Sequence, residues 1–128
     1  MLSEEPILLY DGAHNPSGVD VLLASLDRYY PDRPRTYIFA CMKDKDYTAI
    51  LQKLYREGDR FVFTTVQGNP RAATPEELLE VANALGMRAT AYPTLAEAIE
   101  ESVMTYRVNV ICGSLYLYAD LPKKYLKL

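Results

Sequence analysis

The stretch ILLYDGAHNP, residues 7–16, contains the pattern that decides the fold. Its first four residues are all apolar, which is typical of a β-strand covered on both faces. A polar, glycine-containing turn follows. Apolar residues then recur three and four positions apart, as on one face of a helix, at Val19, Leu22, Leu23 and Leu26. The stretch therefore predicts a strand, a short loop and an amphipathic helix.

The same alternation continues along the chain. Further β-rich runs occupy residues 37–40, 61–64, 89–92 and 108–112, and helical patterns occupy residues 50–55, 78–85 and 95–103. Thr74-Pro75-Glu76-Glu77 has the N-cap, first-turn proline and third-position glutamate of a helix start. Gly58 and Gly86 lie where helix C-caps are expected. Short links between strands and helices predict an α/β fold: a three-layer, mostly parallel, doubly wound, Rossmann-like sheet with about five to six strands and helices on both faces.

Length and composition narrow the class of protein. The 128 residues fit one domain, 1–128, and the 49% apolar content is enough for a core. A net charge of −3 counts against a nucleic-acid partner. No apolar run approaches the ~18 residues of a membrane span, and the acidic residues 1–5 are unlike a secretory signal. We expect no membrane or nucleic-acid partner.

The two cysteines, Cys41 and Cys112, lack CxxC spacing and each ends an apolar run. This placement favours buried free thiols over a disulfide or a metal pair. The single histidine, His14, has no second cluster of ligands to make a zinc site. We therefore expect a cytoplasmic protein from a reducing compartment, without a dedicated metal site.

Polar or glycine-containing stretches follow four of the predicted strands. They are residues 11–16, 42–46, 67–71 and 113–114. Sheets of this type bind ligands outside the carboxyl ends of their strands. We expect Asp11, Lys45 and Ser114 to lie along one edge with side chains facing one cleft, and His14 to lie close by.

Residues 11–15 allow two interpretations. Asp11 could accept two hydrogen bonds from a ribose diol, and His14 could face an anion beside the helix N-terminus. In the alternative, Asp11 and Asn15 organise the turn and cap the helix. The residues alone leave both open.

The other loops also allow two interpretations each. Lys45 could hold a carboxylate, or residues 43–46 could be a solvated charge run in which Asp46 caps the next helix. Arg71 could bind a carboxylate through two hydrogen bonds from its guanidinium, or it could be an exposed surface residue. Ser114 could offer a hydroxyl to a ligand, or serve as an ordinary N-cap.

Several familiar catalytic motifs are missing from the sequence. It has no GxxxxGK[ST] phosphate loop, no GxGxxG after the first strand and no GxSxG elbow. The single histidine also has no credible serine or cysteine partner for a nucleophilic triad.

Four motifs together carry a resemblance to a known family. YDGAHNPSG (10–18), MKDKD (42–46), NPRAATPEEL (69–78) and CGSLYL (112–117) occur in this order. The chain, from about Ile7 to Tyr118, resembles the C-terminal domain of folylpolyglutamate synthases and bifunctional dihydrofolate synthases, within the Mur ligase superfamily. The resemblance implies an enzyme that phosphorylates a carboxyl of folate or dihydropteroate with ATP and Mg²⁺. The amine of glutamate then attacks the acyl phosphate to form an amide.

The resemblance also implies roles for residues that match its motifs. Asp11, His14 and Asn15 would bind nucleotide, with Asp11 on the ribose side and His14 as the catalytic residue near the phosphates. Three further residues would bind glutamate: Lys45, Ser114 and Arg71. None would bind metal, because the Mg²⁺ would be held mainly by the N-terminal domain.

In this family an N-terminal ATPase domain carries the phosphate loop, so we expect residues 1–128 to be one domain of a longer enzyme and inactive alone. Two alternatives stay open. One is the C-terminal domain of a Mur-type cell-wall amino-acid ligase. The other is a non-catalytic, stand-alone binding module of the same fold.

Overall fold

A computed structural model describes residues 1–125, whose backbone forms a six-stranded sheet flanked by helices. The strands are β1 (Ser3–Glu4), β2 (Ile7–Tyr10), β3 (Arg35–Phe39), β4 (Arg60–Phe63), β5 (Ala89–Ala91) and β6 (Val108–Cys112). The helices are α1 (Pro16–Tyr29), α2 (Tyr47–Leu54), α3 (Pro75–Ala84) and α4 (Leu95–Ser102). Two 3₁₀ helices, Leu115–Asp120 and Lys123–Tyr125, follow β6.

The order of strands across the sheet is β1-β2-β6-β3-β4-β5. Only the edge strand β1 is antiparallel to its neighbour; the other pairs are parallel. In register, Val110 of β6 lies between Leu9 of β2 and Tyr37 of β3. The predicted mostly parallel sheet is therefore confirmed, with β6 in its interior.

Side chains alternate along each strand, so the strands contribute apolar side chains to both faces of the sheet. Helices cover both of these faces. Tyr37 and Phe39 of β3 enter the core on one face, where α1, α2 and α3 pack. Ile38 enters the core on the other face, which α4 and the 3₁₀ helix Leu115–Asp120 cover. All five residues of β3 and all five of β6 are buried, the polar Arg35, Thr36 and Asn109 included, as expected for strands covered on both faces. The doubly wound, three-layer prediction is confirmed.

Side-chain caps fix where the helices begin. The Asn15 side chain accepts a hydrogen bond from Gly18 N at the start of α1, and Pro16 occupies the first turn. At the start of α3, Thr74 and Glu77 form the reciprocal capping box that their spacing predicts. These caps orient the loops that precede them, which follow strands of the sheet.

Two local features differ from expectation. Strand β1 lies in a polar segment without an apolar run, and it forms because Ser3 and Glu4 pair with the free edge of β2. Gly58, expected at a helix C-cap, lies instead in a separate turn in which Asp59 N donates to Arg56 O at 3.0 Å. Helix α2 ends earlier, with Tyr55 as its C-cap.

An ion network joins the elements at the amino end of the parallel strands. Asp27, near the end of α1, accepts hydrogen bonds from Arg35 at 2.7 Å and from both terminal nitrogens of Arg56 at 2.7 and 3.0 Å. The side chain of Arg35 is only 3% exposed, so Asp27 neutralises a buried guanidinium. The network ties α1 to β3 and to the segment after α2.

Within residues 1–125, none of the helices combines the length and the apolar character that a membrane span requires.

Candidate functional site

A cavity of about 260 Å³ opens at the carboxyl edge of the sheet. Its lining residues come from the loops after β2, β3 and β6: His14, Met42, Lys45, Gly113, Ser114, Leu115 and Tyr116. The loops after β2 and β3 lead to helices on one face of the sheet, whereas the loop after β6 leads to a 3₁₀ helix on the other face. Such a change of direction leaves a crevice between neighbouring strand ends, where sheets of this class bind ligands.

Backbone hydrogen bonds hold the loops around the cavity together. Gly113 N donates to Ala13 O at 2.9 Å and so joins the loop after β6 to the loop after β2. Lys43 N donates to Arg71 O at 2.8 Å, beside an isolated bridge between Met42 and Ala72. The loop after β3 is thereby joined to the loop after β4. Main-chain hydrogen bonds thus connect these four loops in pairs.

Gly113 lies where the end of β6 packs against the end of β3. Its φ of +102° lies in the region that favours glycine, and a Cβ there would overlap the carbonyl oxygen of Ala40. Without a side chain at this position, the chain after β6 can turn against the end of β3. The glycine of the CGSLYL motif therefore shapes the floor of the cavity.

The imidazole of His14 is oriented by its own loop. Its Nδ1 lies 2.9 Å from the carbonyl oxygen of Gly12. Because a carbonyl oxygen can only accept, this contact places a proton on Nδ1 and leaves Nε2 for another partner. The partly exposed ring lines the cavity, as predicted.

The charged segment after β3, residues 43–46, contains both a helix cap and a lysine that lines the cavity. The Asp46 side chain accepts a hydrogen bond from Ala49 N at 3.2 Å and caps α2, so the capping alternative is confirmed for this residue. Lys43 is exposed, with its Nζ 3.9 Å from a carboxylate oxygen of Glu77. Lys45 alone of the two lysines lines the cavity. The segment thus presents one ammonium group to the cleft.

Ser114 lines the cavity but is only 4% exposed. Its hydroxyl oxygen accepts a hydrogen bond from Tyr116 N at 3.1 Å and caps the 3₁₀ helix. The N-cap alternative for Ser114 is therefore confirmed. A role in binding glutamate stays a prediction.

Asp11 does not face the cavity with Lys45 and Ser114, which corrects our expectation of one shared cleft. One oxygen of its carboxylate turns back to accept a hydrogen bond from Ala13 N at 2.8 Å. The residue lines a second cavity, of about 380 Å³, between β2 and α1. The turn-forming alternatives for Asp11 and Asn15 are both confirmed, and Asn15 is exposed at the N-terminus of α1.

Arg71 lies in a third cavity, of about 550 Å³, that adjoins the first. Tyr116 lines both of them, and Asp120 lines the far side of the third. The side chain of Arg71 is exposed, while its backbone is held by Asn69, whose side-chain oxygen accepts from Arg71 N at 3.0 Å. Three of the six predicted site residues (His14, Lys45 and Ser114) therefore share one cavity, and Arg71 lies next to it.

Tyr116 and Met42 also line the cavity, although neither was among the predicted site residues. Tyr116 is 58% exposed and separates two cavities, so it is placed to contact anything bound in either. Its position within the CGSLYL motif, two residues after Ser114, was the available signal. Met42 lines the cavity although only 7% of its surface is exposed.

The buried thiols near the cavity are poor nucleophiles. Burial raises the pKa of Cys41 to about 12, and burial also raises the pKa of Cys112 well above its usual range. Among residues 1–125 there is also no group of three or more histidine, cysteine, aspartate or glutamate side chains placed to hold a metal ion. The cavity is lined by a histidine and a lysine, side chains that suit anionic ligands.

Comparison with known proteins gives consistent matches over the chain. Residues 2–127 match the family model described as "Dihydrofolate synthetase, C-terminal domain". Over 91% of its length the chain is 32% identical to the folylpolyglutamate synthase of Lacticaseibacillus casei, covering 26% of that protein. It is 33% identical to the dihydrofolate synthetase of Saccharomyces cerevisiae, again over 91% of the chain and covering 30% of the relative.

Among solved structures, the folylpolyglutamate synthase of Mycobacterium tuberculosis complexed with ADP and AMPPCP superposes with a TM-score of 0.83 at 25% identity. That match covers 99% of this chain and 31% of the other. The chain thus spans less than a third of the length of each of these relatives.

Proposed function

We propose a function for this chain, which belongs to the family of dihydrofolate synthetase C-terminal domains. We infer that residues 1–128 are the glutamate-handling domain of an ATP-dependent ligase that adds glutamate to folate or dihydropteroate. The observation that carries the proposal is the cavity shared by His14, Lys45 and Ser114, at the strand ends where this fold binds ligands. The relatives named above are folate enzymes, which favours the folate branch over a cell-wall ligase.

The proposed reaction has two steps. ATP transfers its γ-phosphoryl group to a carboxyl of the folate, forming an acyl phosphate. The glutamate amine then attacks the acyl carbon, an amide bond forms, phosphate leaves and the amine loses a proton. Because the amine is the nucleophile, this domain would contribute position and charge rather than a covalent intermediate.

We propose that Lys45 pairs with one carboxylate of glutamate, while Arg71 receives the other in the adjoining cavity. Glutamate carries two carboxylates, and the two cavities meet at Tyr116. The hydrogen bond from Lys43 N to Arg71 O fixes the spacing between the two loops. In this arrangement the buried hydroxyl of Ser114 supports the wall between the two cationic side chains and adds a contact to the carboxylate.

The nucleotide would lie on the other side of His14. The Nε2 of His14 is proposed to contact the phosphates and the incoming glutamate. Asp11 keeps one carboxylate oxygen outside its bond to Ala13 N, which supports a contact with the ribose. Asn15 is exposed at the helix N-terminus, where backbone N–H groups attract phosphates.

The remaining parts of the proposal concern the whole enzyme. We propose that an N-terminal ATPase domain supplies the phosphate loop and most of the ligands of a Mg²⁺ ion, which neutralises the charge of the transferring phosphoryl group. A cytoplasmic location is also proposed, and the free, buried thiols of Cys41 and Cys112 agree with a reducing compartment.

Steady-state kinetics on the chain joined to its N-terminal portion test the separate roles of Lys45 and Asp11. Lys45→Ala should raise the KM for glutamate by more than the KM for ATP. One lost charge-assisted contact costs about 1.5–3 kcal/mol, or roughly one to two orders of magnitude in binding. Asp11→Ala should show the opposite bias, toward ATP.

Lys43→Ala is the matched control, because Lys43 is the neighbouring lysine but is exposed outside the cavity. It should leave both KM values within about twofold, as expected for an exposed ion pair. Equal effects of Lys45→Ala and Asp11→Ala on both substrates would contradict the proposal, because they would assign both residues a structural role.

A further inference from the structure

Tyr10, the last residue of β2, makes contacts that none of the roles above uses. Its hydroxyl donates to the carbonyl oxygens of Ser114 at 2.7 Å and Leu115 at 3.1 Å. Its ring also packs edge-on against Tyr118, with centroids 5.7 Å apart. The Tyr10 side chain, at the end of β2, is therefore hydrogen-bonded to the segment that forms one wall of the cavity shared by His14, Lys45 and Ser114.

This contact holds the exposed part of a segment that the fully buried Leu117 anchors in the core. Leu115, Tyr116 and Tyr118 are 63, 58 and 54% exposed, so burial contributes little to their placement. The hydrogen bond from Leu117 N to Ser114 O is long, at 3.4 Å. The bifurcated bond from the Tyr10 hydroxyl thus adds a restraint at the start of the 3₁₀ helix, where the Ser114 hydroxyl also accepts from Tyr116 N.

The remaining contacts act in the same direction. Gly113 N donates to Ala13 O, and the absence of a side chain at Gly12 leaves space for Leu115 against the β2 loop. The β2 loop carries His14, so the same unit fixes one catalytic candidate relative to the wall. Burial raises the pKa of Tyr10 to about 12, which keeps the hydroxyl a donor at all ordinary pH values.

We propose that Tyr10 is a positioning residue for the glutamate pocket, meaning the cavity lined by Lys45 together with the adjoining cavity lined by Arg71. Its hydroxyl holds Ser114 and Leu115, and through them Tyr116, at the boundary between these two cavities. The inference rests on the proposed function only for the identity of the ligand, glutamate. The restraint that Tyr10 places on the cavity wall is independent of that function. Tyr10 touches no reacting group and acts through the wall it holds.

The restraint is tested on the 128-residue chain by amide hydrogen exchange. Tyr10→Phe removes the hydroxyl and keeps the ring, which also lines the Asp11 cavity. The amides of Tyr116 and Leu117 should exchange about tenfold faster, while the amide of Ile38 in the buried β3 keeps its rate. Tyr118→Phe, an identical change on the exposed partner ring, should alter none of these rates.

Two exchange results would overturn the proposal. Unchanged rates at Tyr116 and Leu117 in Tyr10→Phe would show that the hydroxyl does not hold the wall. Equal acceleration at these sites and at Ile38 would show general destabilisation instead of a local restraint.

The functional consequence is tested by kinetics on the chain joined to its N-terminal portion. Tyr10→Phe should raise the KM for glutamate at least threefold, with kcat and the KM for ATP changed less than twofold. A purely structural role would lower the amount of active enzyme, and so kcat, without moving that KM. An unchanged KM for glutamate, in an enzyme where Lys45→Ala does raise it, would overturn the positioning role. If Lys45→Ala has no effect either, the proposed glutamate pocket itself fails, and the exchange rates still decide the restraint.

Discussion

At Gly113 a single missing side chain allows two neighbouring strand ends to meet. The residue combines a φ of +102° with a backbone approach that leaves no room for a Cβ beside Ala40 O and the ring of Phe39. Its N–H simultaneously bonds the β2 loop. Backbone conformation, steric fit and loop attachment therefore all depend on the same glycine, directly beside Ser114.

Replacing Gly113 with alanine should destabilise the fold by about 3 kcal/mol or more. The strained conformation contributes about 1–3 kcal/mol, and the overlap with a backbone oxygen adds to it because neither strand can move freely. Urea unfolding of the 128-residue chain measures the change. Gly68→Ala is the control: Gly68 also has positive φ, at +70°, but its Cβ would meet open space. That change should cost only about 1–2 kcal/mol, and equal losses at the two positions would contradict the steric argument.

At the level of elements, the sequence predicted what local chemistry controls. The apolar runs of β2 and β6 have the predicted limits, and the Thr74 capping box begins α3 as expected. Strand β1 was not predicted because its pairing depends on the free edge of β2, a tertiary feature without an apolar signature. The turn at Gly58 was misassigned because a glycine with positive φ serves a turn as well as a helix end.

The network around Asp27 gives the protein a definite response to acid. Hydrogen bonds from Arg56 and from Arg35 hold the pKa of Asp27 well below its usual range. A carboxylate with a lowered folded-state pKa stabilises the fold above its unfolded pKa of about 3.9, and the contribution disappears as pH falls through the folded value. Asp27→Asn should therefore lower the free energy of unfolding at pH 7, and the difference from the parent should shrink below about pH 4.

Urea unfolding between pH 7 and pH 2.5 measures this convergence. Asp20→Asn is a suitable control, since Asp20 pairs with Lys53 at 2.7 Å on the exposed surface, where such pairs contribute little. A constant difference between Asp27→Asn and the parent at every pH would show that the network is not linked to the ionisation of Asp27.

For the whole molecule, the parallel sheet separates two kinds of polar chemistry. The ion network ties elements together at the amino ends of the strands, and the cavity shared by His14, Lys45 and Ser114 lies at the carboxyl ends. The sequence could predict this polarity because parallel strands all end at the same edge. It left open whether the Asp11 carboxylate organises its own turn or faces a shared cleft, since an Asp in this position can do either; the bond from Ala13 N shows the first.

The 128-residue chain alone should show no ATP-dependent ligase activity. Its sequence contains no GxxxxGK[ST] loop to bind the phosphates, and it covers only 26 and 30% of the two curated relatives. Charge stabilisation of a transferring phosphoryl group requires such a cradle and its metal ion. The measurement is phosphate release in the presence of ATP, a folate and glutamate. Release that depends on both a folate and glutamate would contradict the expectation.

The main-chain bonds between the loops have an evolutionary consequence. The bonds Gly113 N–Ala13 O and Lys43 N–Arg71 O use main-chain atoms, so these two loop connections do not depend on the side chains of Lys45 and Tyr116. Substitutions at positions such as Lys45 or Tyr116 can then accumulate without loss of these connections. The side chains that line the cavity could therefore change one at a time during evolution while these two loop connections persist.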